Sequence, residues 1–280
     1  MSGQAIDPKR LTLPPTFIGL VRLSCLATIL LLVFCRVSFS DQSAAAARYC
    51  AQYNNTITLS EDYNILCLDG RIGKDLDESI FNRMNHGGFF VIRSDGGNII
   101  SAMKIANILL EKDATTVIYD YCLSACANAI FVASQRTHVL GSAIVAWHRG
   151  LPRLSCAPPP VIIGADEKEH REYQEHLNGL KEYCSNRNMT ADFYKRRGID
   201  DRFTHAPQTP YATKMFRLII GQATNKDVIF WMWNPRNFGE YFKSRITFQS
   251  FPESQDHVNE LVRRLRLPIR VVFDPPADSR

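Results

Sequence analysis

Three short stretches carry residue types that together can do chemistry: Ser94-Asp95-Gly96-Gly97, Cys122-Leu123-Ser124-Ala125-Cys126 and Ala146-Trp147-His148. Paired glycines at the end of an apolar run let the backbone approach a ligand and aim N–H groups at it. A serine among small neighbours at a strand-to-helix corner can expose its hydroxyl, with the N–H of Ala125 on the same side. A histidine just beyond a buried strand can take the proton of that hydroxyl. In chain order these are oxyanion donors, nucleophile and base, the parts of an acyl-transfer site. Each also has a plainer reading: the glycines as a tight turn, Ser124 as a helix N-cap, His148 as a structural histidine. The serine does not sit in G-x-S-x-G, because Cys122 and Cys126 flank it. The remaining histidines are scattered, and His170 and His176 lack the spacing of metal ligands on a helix, so neither metal nor other cofactor is expected.

Those three stretches need strands that end together. Phe89-Phe90-Val91-Ile92 is a continuous apolar run, as in a strand covered on both faces. After Gly97, Ile99, Met103, Ala106 and Leu110 recur at helical intervals. Thr115 to Tyr119 reads as strand, Ala125 to Ala133 as helix and Ala143 to Trp147 as strand. Earlier, two strands flank a turn at Glu61-Asp62, and Asp75 to Met84 shows one apolar face of a helix. Alternation of this kind predicts an α/β fold with mostly parallel pairing. Beyond His148, Arg149 to Ile163 reads as a proline-stiffened loop, Asp166 to Arg187 and Met189 to Arg197 as two helices. Val228 to Trp233 (V-I-F-W-M-W) reads as core or protomer interface rather than substrate groove. Val258 to Leu267 is helix-like and Ile269 to Phe273 a last strand.

The formal charge is +5 in 280 residues, and four basic residues against one acidic fall before Asp41. The body is therefore nearly neutral, which excludes a nucleic-acid footprint. Basic residues and then the apolar run Leu23 to Cys35 read as a signal peptide cleaved before Asp41, or as a membrane anchor if the run extends back to Phe17. Both place the body outside the cytoplasm. Residues 1–40 are thus leader or anchor, 41–55 a linker, 56–274 the domain and 275–280 a tail. Six cysteines belong to the body (Cys50, Cys67, Cys122, Cys126, Cys156 and Cys184), an even number that suits disulfides in an exported domain. Sequence-neighbour pairing gives Cys50 with Cys67 and Cys156 with Cys184. Cys122 and Cys126, if bonded, brace the serine corner; if free, one is an alternative nucleophile.

The order Gly96-Gly97, Ser124, His148 resembles the proteolytic subunit of the Clp protease and its crotonase-fold relatives. More closely it resembles exported Clp-like proteins of bacteria, through S-x-G-G at Ser94 to Gly97, C-x-S-A-C at Cys122 to Cys126, Arg136 and His148. The resemblance covers about Gly70 to His148. It implies a spiral of ββα units in the bacterial cell envelope, periplasmic or anchored in the inner membrane. It makes Ser124 the nucleophile, His148 the general base, and the N–H groups of Gly97, Gly96 and Ala125 the oxyanion donors. Peptide or protein is then the substrate, and a homo-oligomer is expected by analogy. Asp95 stands where the family has proline, and no acidic third member matches a motif; Asp192, Asp200 and Asp201 lie in the right part of the chain. The rival expectations are a non-catalytic Clp-fold envelope protein that binds a peptide or partner protein, an acyl-CoA enzyme without a nucleophile, and a thiol redox role for Cys122 and Cys126.

Overall fold

A computed structural model describes residues 39–53, 57–148, 155–160, 166–204, 210–222, 228–240 and 245–275. The apolar run Leu23 to Cys35, and with it the leader or anchor reading, lies outside these. Among the described residues no helix is long and apolar enough to cross a membrane. The chain divides into two compact units, residues 1–42 and 43–280; apart from residues 39–42, everything discussed below belongs to the second.

A mostly parallel sheet organises the fold. Its strands are β1 (Ile57–Leu59), β2 (Ile65–Asp69), β3 (Phe89–Ser94), β4 (Thr115–Leu123), β5 (Arg136–Val139), β6 (Ile144–Ala146) and β8 (Arg245–Phe248). They lie in the order β1-β2-β3-β4-β5-β8, and β6 also pairs with β4. Among the described strand pairs of this sheet only the β1–β2 hairpin is antiparallel, its turn running through Glu61 and Asp62. Strand β4 pairs with β3 on one side and serves two neighbours on the other: Thr115 to Ile118 pair with β5, and Tyr121 to Leu123 pair with β6. Between these halves Asp120 has φ +57 and the β3–β4 register shifts, so the strand bends there. A second, two-stranded parallel sheet joins β7 (Val228–Trp233) to β9 (Ile269–Asp274).

Alternation along the strands sorts the core into two faces. Leu66, Leu68, Phe90, Ile92 and Ile118 belong to one cluster with Ala102, Ile105, Ala106 and Leu109 of helix α3 (Ile99–Glu111). Cys67, Val91 and Val117 form another with Ala46, Ala47 and Cys50. Those last three come from helix α1 (Phe39–Cys50), where a linker is expected from sequence. The correction has a simple cause. Ser43, Ala46, Ala47 and Cys50 are buried at intervals of three and four, a helical stripe made of small residues that lets the helix sit close to the sheet. The Cys50–Cys67 disulfide then ties this helix to β2.

Three further expectations are corrected. Helix α2 (Ser79–Arg83) covers only the last part of Asp75 to Met84. The stretch after Ser124 is a fully buried π-helical turn, Cys126–Ile130, rather than a regular helix through Ala133. The two helices expected between Asp166 and Arg197 are one, α4 (Glu167–Arg197). It starts from a capping box made by Asp166 and Glu169 and stops at Gly198 in the left-handed conformation, φ +64. Helix α5 (Pro210–Gln222) and helix α6 (Gln255–Arg264) complete the described α-helices, α6 packing Val258 and Leu261 under β6, β7 and β9.

Candidate functional site

The sheet register brings the serine and histidine stretches together. Leu123 pairs with Ala146 where β4 and β6 run parallel, so the residues that follow, Ser124 and Trp147-His148, leave the sheet side by side. The Ser124 N–H continues the ladder by donating to the Ala146 carbonyl at 3.1 Å. Ser124 Oγ then lies 2.5 Å from His148 Nε2. Its hydroxyl makes this bond and no capping bond to the following turn, which also has no side-chain cap. The side-chain N-cap reading of Ser124 is therefore not what the hydroxyl's one bond shows.

Ser124 has φ +54, a left-handed backbone that a side chain with Cβ rarely adopts. Strain of this kind persists only where the surrounding structure holds the residue in place, here at a strand-to-helix corner. A disulfide between Cys122 and Cys126, with Cα atoms 5.3 Å apart, clasps the corner from both flanks. Both cysteines are fully buried, so the alternative of a free thiol nucleophile is not what the fold presents. Because glycine relieves the backbone strain, Ser124→Gly is expected to be more stable than Ser124→Ala by about 1 kcal/mol. Urea unfolding of the two variants checks this; equal midpoints would mean the corner is not strained.

The glycine pair approaches from β3. A Cβ added to Gly96 would lie 2.5 Å from the Leu123 carbonyl oxygen, 2.6 Å from Ser124 Cβ and 2.9 Å from the Ala125 nitrogen. Only a glycine leaves room for the serine corner there, and its φ of +91 has the same requirement. The Gly96 N–H donates to the buried hydroxyl of Ser94 at 3.0 Å, so Gly96 is not an oxyanion donor, contrary to one sequence expectation. Gly97 differs. Ile72 donates to the Gly96 carbonyl and accepts from the Asn98 N–H, a parallel bridge that turns the Gly97 N–H away from Ile72. Neither the Gly97 nor the Ala125 N–H donates to any described group. Asp95, the residue before the glycine pair, faces outward, half-exposed and 3.5 Å from Arg71.

His148 is half-buried and burial alone pushes its pKa below the ordinary 6.5. A neutral imidazole at neutral pH can accept the serine proton at Nε2 when Nδ1 carries the hydrogen. Its ring meets that of Phe230 edge-on, with centroids 5.0 Å apart. Among the described residues no carboxylate bonds to Nδ1. Asp192 is exposed on α4, Asp200 is half-buried with other partners, and the side chain of Asp201 lies outside the described residues. Arg136 opens β5 opposite Thr115 and pairs with Asp113 at 3.1 Å, at the other end of β4 from Ser124. The remaining disulfide, Cys156–Cys184, holds the stretch before α4 to that helix. Set against models of known protein families and against curated proteins, the chain finds no significant match.

Proposed function

We propose that this chain is an exported serine hydrolase that cleaves peptide bonds, with Ser124 as nucleophile and His148 as general base. The observation that carries the reading is the 2.5 Å contact between Ser124 Oγ and His148 Nε2 at a strained, disulfide-clasped corner. In the first step Nε2 takes the hydroxyl proton while Oγ bonds to the substrate carbonyl carbon. The N–H groups of Gly97 and Ala125 receive the oxyanion, a contribution on the order of 10²–10³ in rate for one donor. Collapse of the tetrahedral intermediate breaks the C–N bond, and the imidazolium gives its proton to the departing amine. Water, deprotonated by the same imidazole, then releases the acyl group from Ser124. We read the mostly parallel sheet as a Clp/crotonase-like spiral, supported by the repeated passage from strand through helix to the next parallel strand. Location in the bacterial envelope, periplasmic or inner-membrane-anchored, rests on the N-terminal apolar run and on three disulfides, which suit an oxidising compartment. Assembly into a homo-oligomer belongs to the same reading by analogy alone.

A second reading, a Clp-fold envelope protein that binds a peptide or partner without cleaving it, is favoured by one observation. His148 Nδ1 has no carboxylate among the described residues. Labelling with a fluorophosphonate separates the two. The wild-type protein is expected to label on Ser124, identified by mass spectrometry, and Ser124→Ala and His148→Ala are expected not to. Wild-type protein that stays unlabelled while folded would overturn the hydrolase. The labelling rate is expected to rise with pH along a limb whose midpoint lies below 6.5, because the base must be neutral and burial favours that form. The same shift makes the unfolded chain take up the proton first. Its contribution to stability is therefore complete above 6.5 and is lost as the pH falls from there toward the folded value.

A further inference from the structure

We infer that Phe230 is the positioning residue of the site: its ring, edge-on to the imidazole, holds His148 where Nε2 reaches Ser124. The inference rests on the reading of Ser124 and His148 as nucleophile and base. Two independent observations support it. The first is backbone register. Trp147 and Trp231 form an antiparallel bridge with reciprocal N–H to carbonyl bonds of 2.8 and 2.7 Å. Next to such a bridge, the residue after one partner stands opposite the residue before the other. His148 and Phe230 are therefore direct cross-strand neighbours, the closest pairing that two strands offer. The second is the ring contact itself, with centroids 5.0 Å apart and planes at 85°. An edge-to-face pair has an electrostatic preference for that orientation, which an aliphatic side chain of equal volume lacks.

Phe230 is itself held. It is 4% exposed and clusters with Val258 and Leu261 of α6, Val271 and Phe273 of β9, and Ile144 and Ala146 of β6. A rigid wall behind the imidazole does part of what a carboxylate partner does in a triad, since it fixes the ring plane and keeps water off. Ser124 faces the imidazole from the corner after β4 and Phe230 from β7. No charged group among the described residues shifts it; burial is the sole cause. The sequence places Phe230 in an apolar strand, where core packing is a sufficient account. Only the cross-strand bridge reveals what it faces.

The test compares Phe230→Leu, which removes the ring but keeps an apolar side chain, with Phe230→Tyr, which keeps the ring. Phe273→Leu is the control, in the same cluster without a ring contact to His148. Two quantities are read: the midpoint of the His148 ring titration by NMR, and the fluorophosphonate labelling rate across pH. Phe230→Leu is expected to raise the midpoint toward 6.5 and to lower the limiting labelling rate by about tenfold, the scale of one aromatic pair. Phe230→Tyr is expected to restore both, and Phe273→Leu to leave both at wild-type values even if it costs stability. The inference is overturned if Phe230→Leu and Phe273→Leu give the same His148 midpoint. Should wild-type protein fail to label, the hydrolase reading falls, and the ring titration still decides the position of Phe230.

Discussion

Gly96→Ala is expected to abolish fluorophosphonate labelling and to lower stability by about 3 kcal/mol or more, the sum of backbone strain and overpacking in a closed space. The added methyl has no direction of escape. Its contacts are the Leu123 carbonyl oxygen, Ser124 Cβ and the Ala125 nitrogen, two of them backbone atoms of the corner that carries Ser124. Any relief moves Ser124 or Ala125, and either movement breaks the alignment of Oγ with Nε2 or of the Gly97 and Ala125 N–H groups. Gly141→Ala is the informative comparison. Gly141 also has a left-handed backbone, φ +52, but nothing lies within 4 Å of the Cβ it would gain. That variant is expected to lose only about 1 kcal/mol and to label normally. If urea unfolding shows equal losses at the two glycines, the serine corner does not abut Gly96 as described.

The disulfides supply the second large effect, because stability and labelling should part company. Removing Cys156–Cys184 opens a ring with a sequence separation of 28, worth about 3.5 kcal/mol by loop-closure entropy. Removing Cys122–Cys126, with a separation of 4, forfeits only about 2 kcal/mol on that account. The smaller loss is nevertheless the one that should disable the site. Cys122→Ala with Cys126→Ala frees both flanks of a residue held at φ +54, and the corner can relax out of the left-handed region. Labelling is expected to fall at least tenfold (about 1.4 kcal/mol in the barrier). Cys156→Ala with Cys184→Ala is expected to label at the wild-type rate. A clasp variant that labels like wild type would show that packing alone holds the elbow.

Much of the site was legible because its signals are local. Paired glycines after an apolar run, a serine between small residues, and a histidine past a buried strand each announce a strand end. Parallel register then assembles them without further information. What escaped was set by partners distant in sequence or by weak apolarity. Ser43, Ala46, Ala47 and Cys50 form a helical stripe, yet serine and alanine hardly register as hydrophobic, so the sequence of α1 reads as linker. The break that the sequence suggests at Asn188 is absent from α4. There the Thr190 hydroxyl donates back to the Asn186 carbonyl at 2.8 Å, and strong caps at both ends hold the helix through a stretch of poor formers. The Gly96 N–H is taken by the Ser94 hydroxyl oxygen, an acceptor that paired glycines in a sequence do not reveal. Phe230 could not have been placed at His148, since only the Trp147–Trp231 bridge puts it there.

The bond between Cys50 and Cys67 closes a covalent ring around β1 and the turn into β2. Helix α1 thus has a mechanical tether as well as a packing surface. A backbone cut anywhere inside the ring leaves α1 joined to the central sheet, and tension applied to the chain ahead of α1 is carried through sulfur to β2. Reduction is then the step that permits release: the helix can be peeled from the sheet face only after that bond is broken.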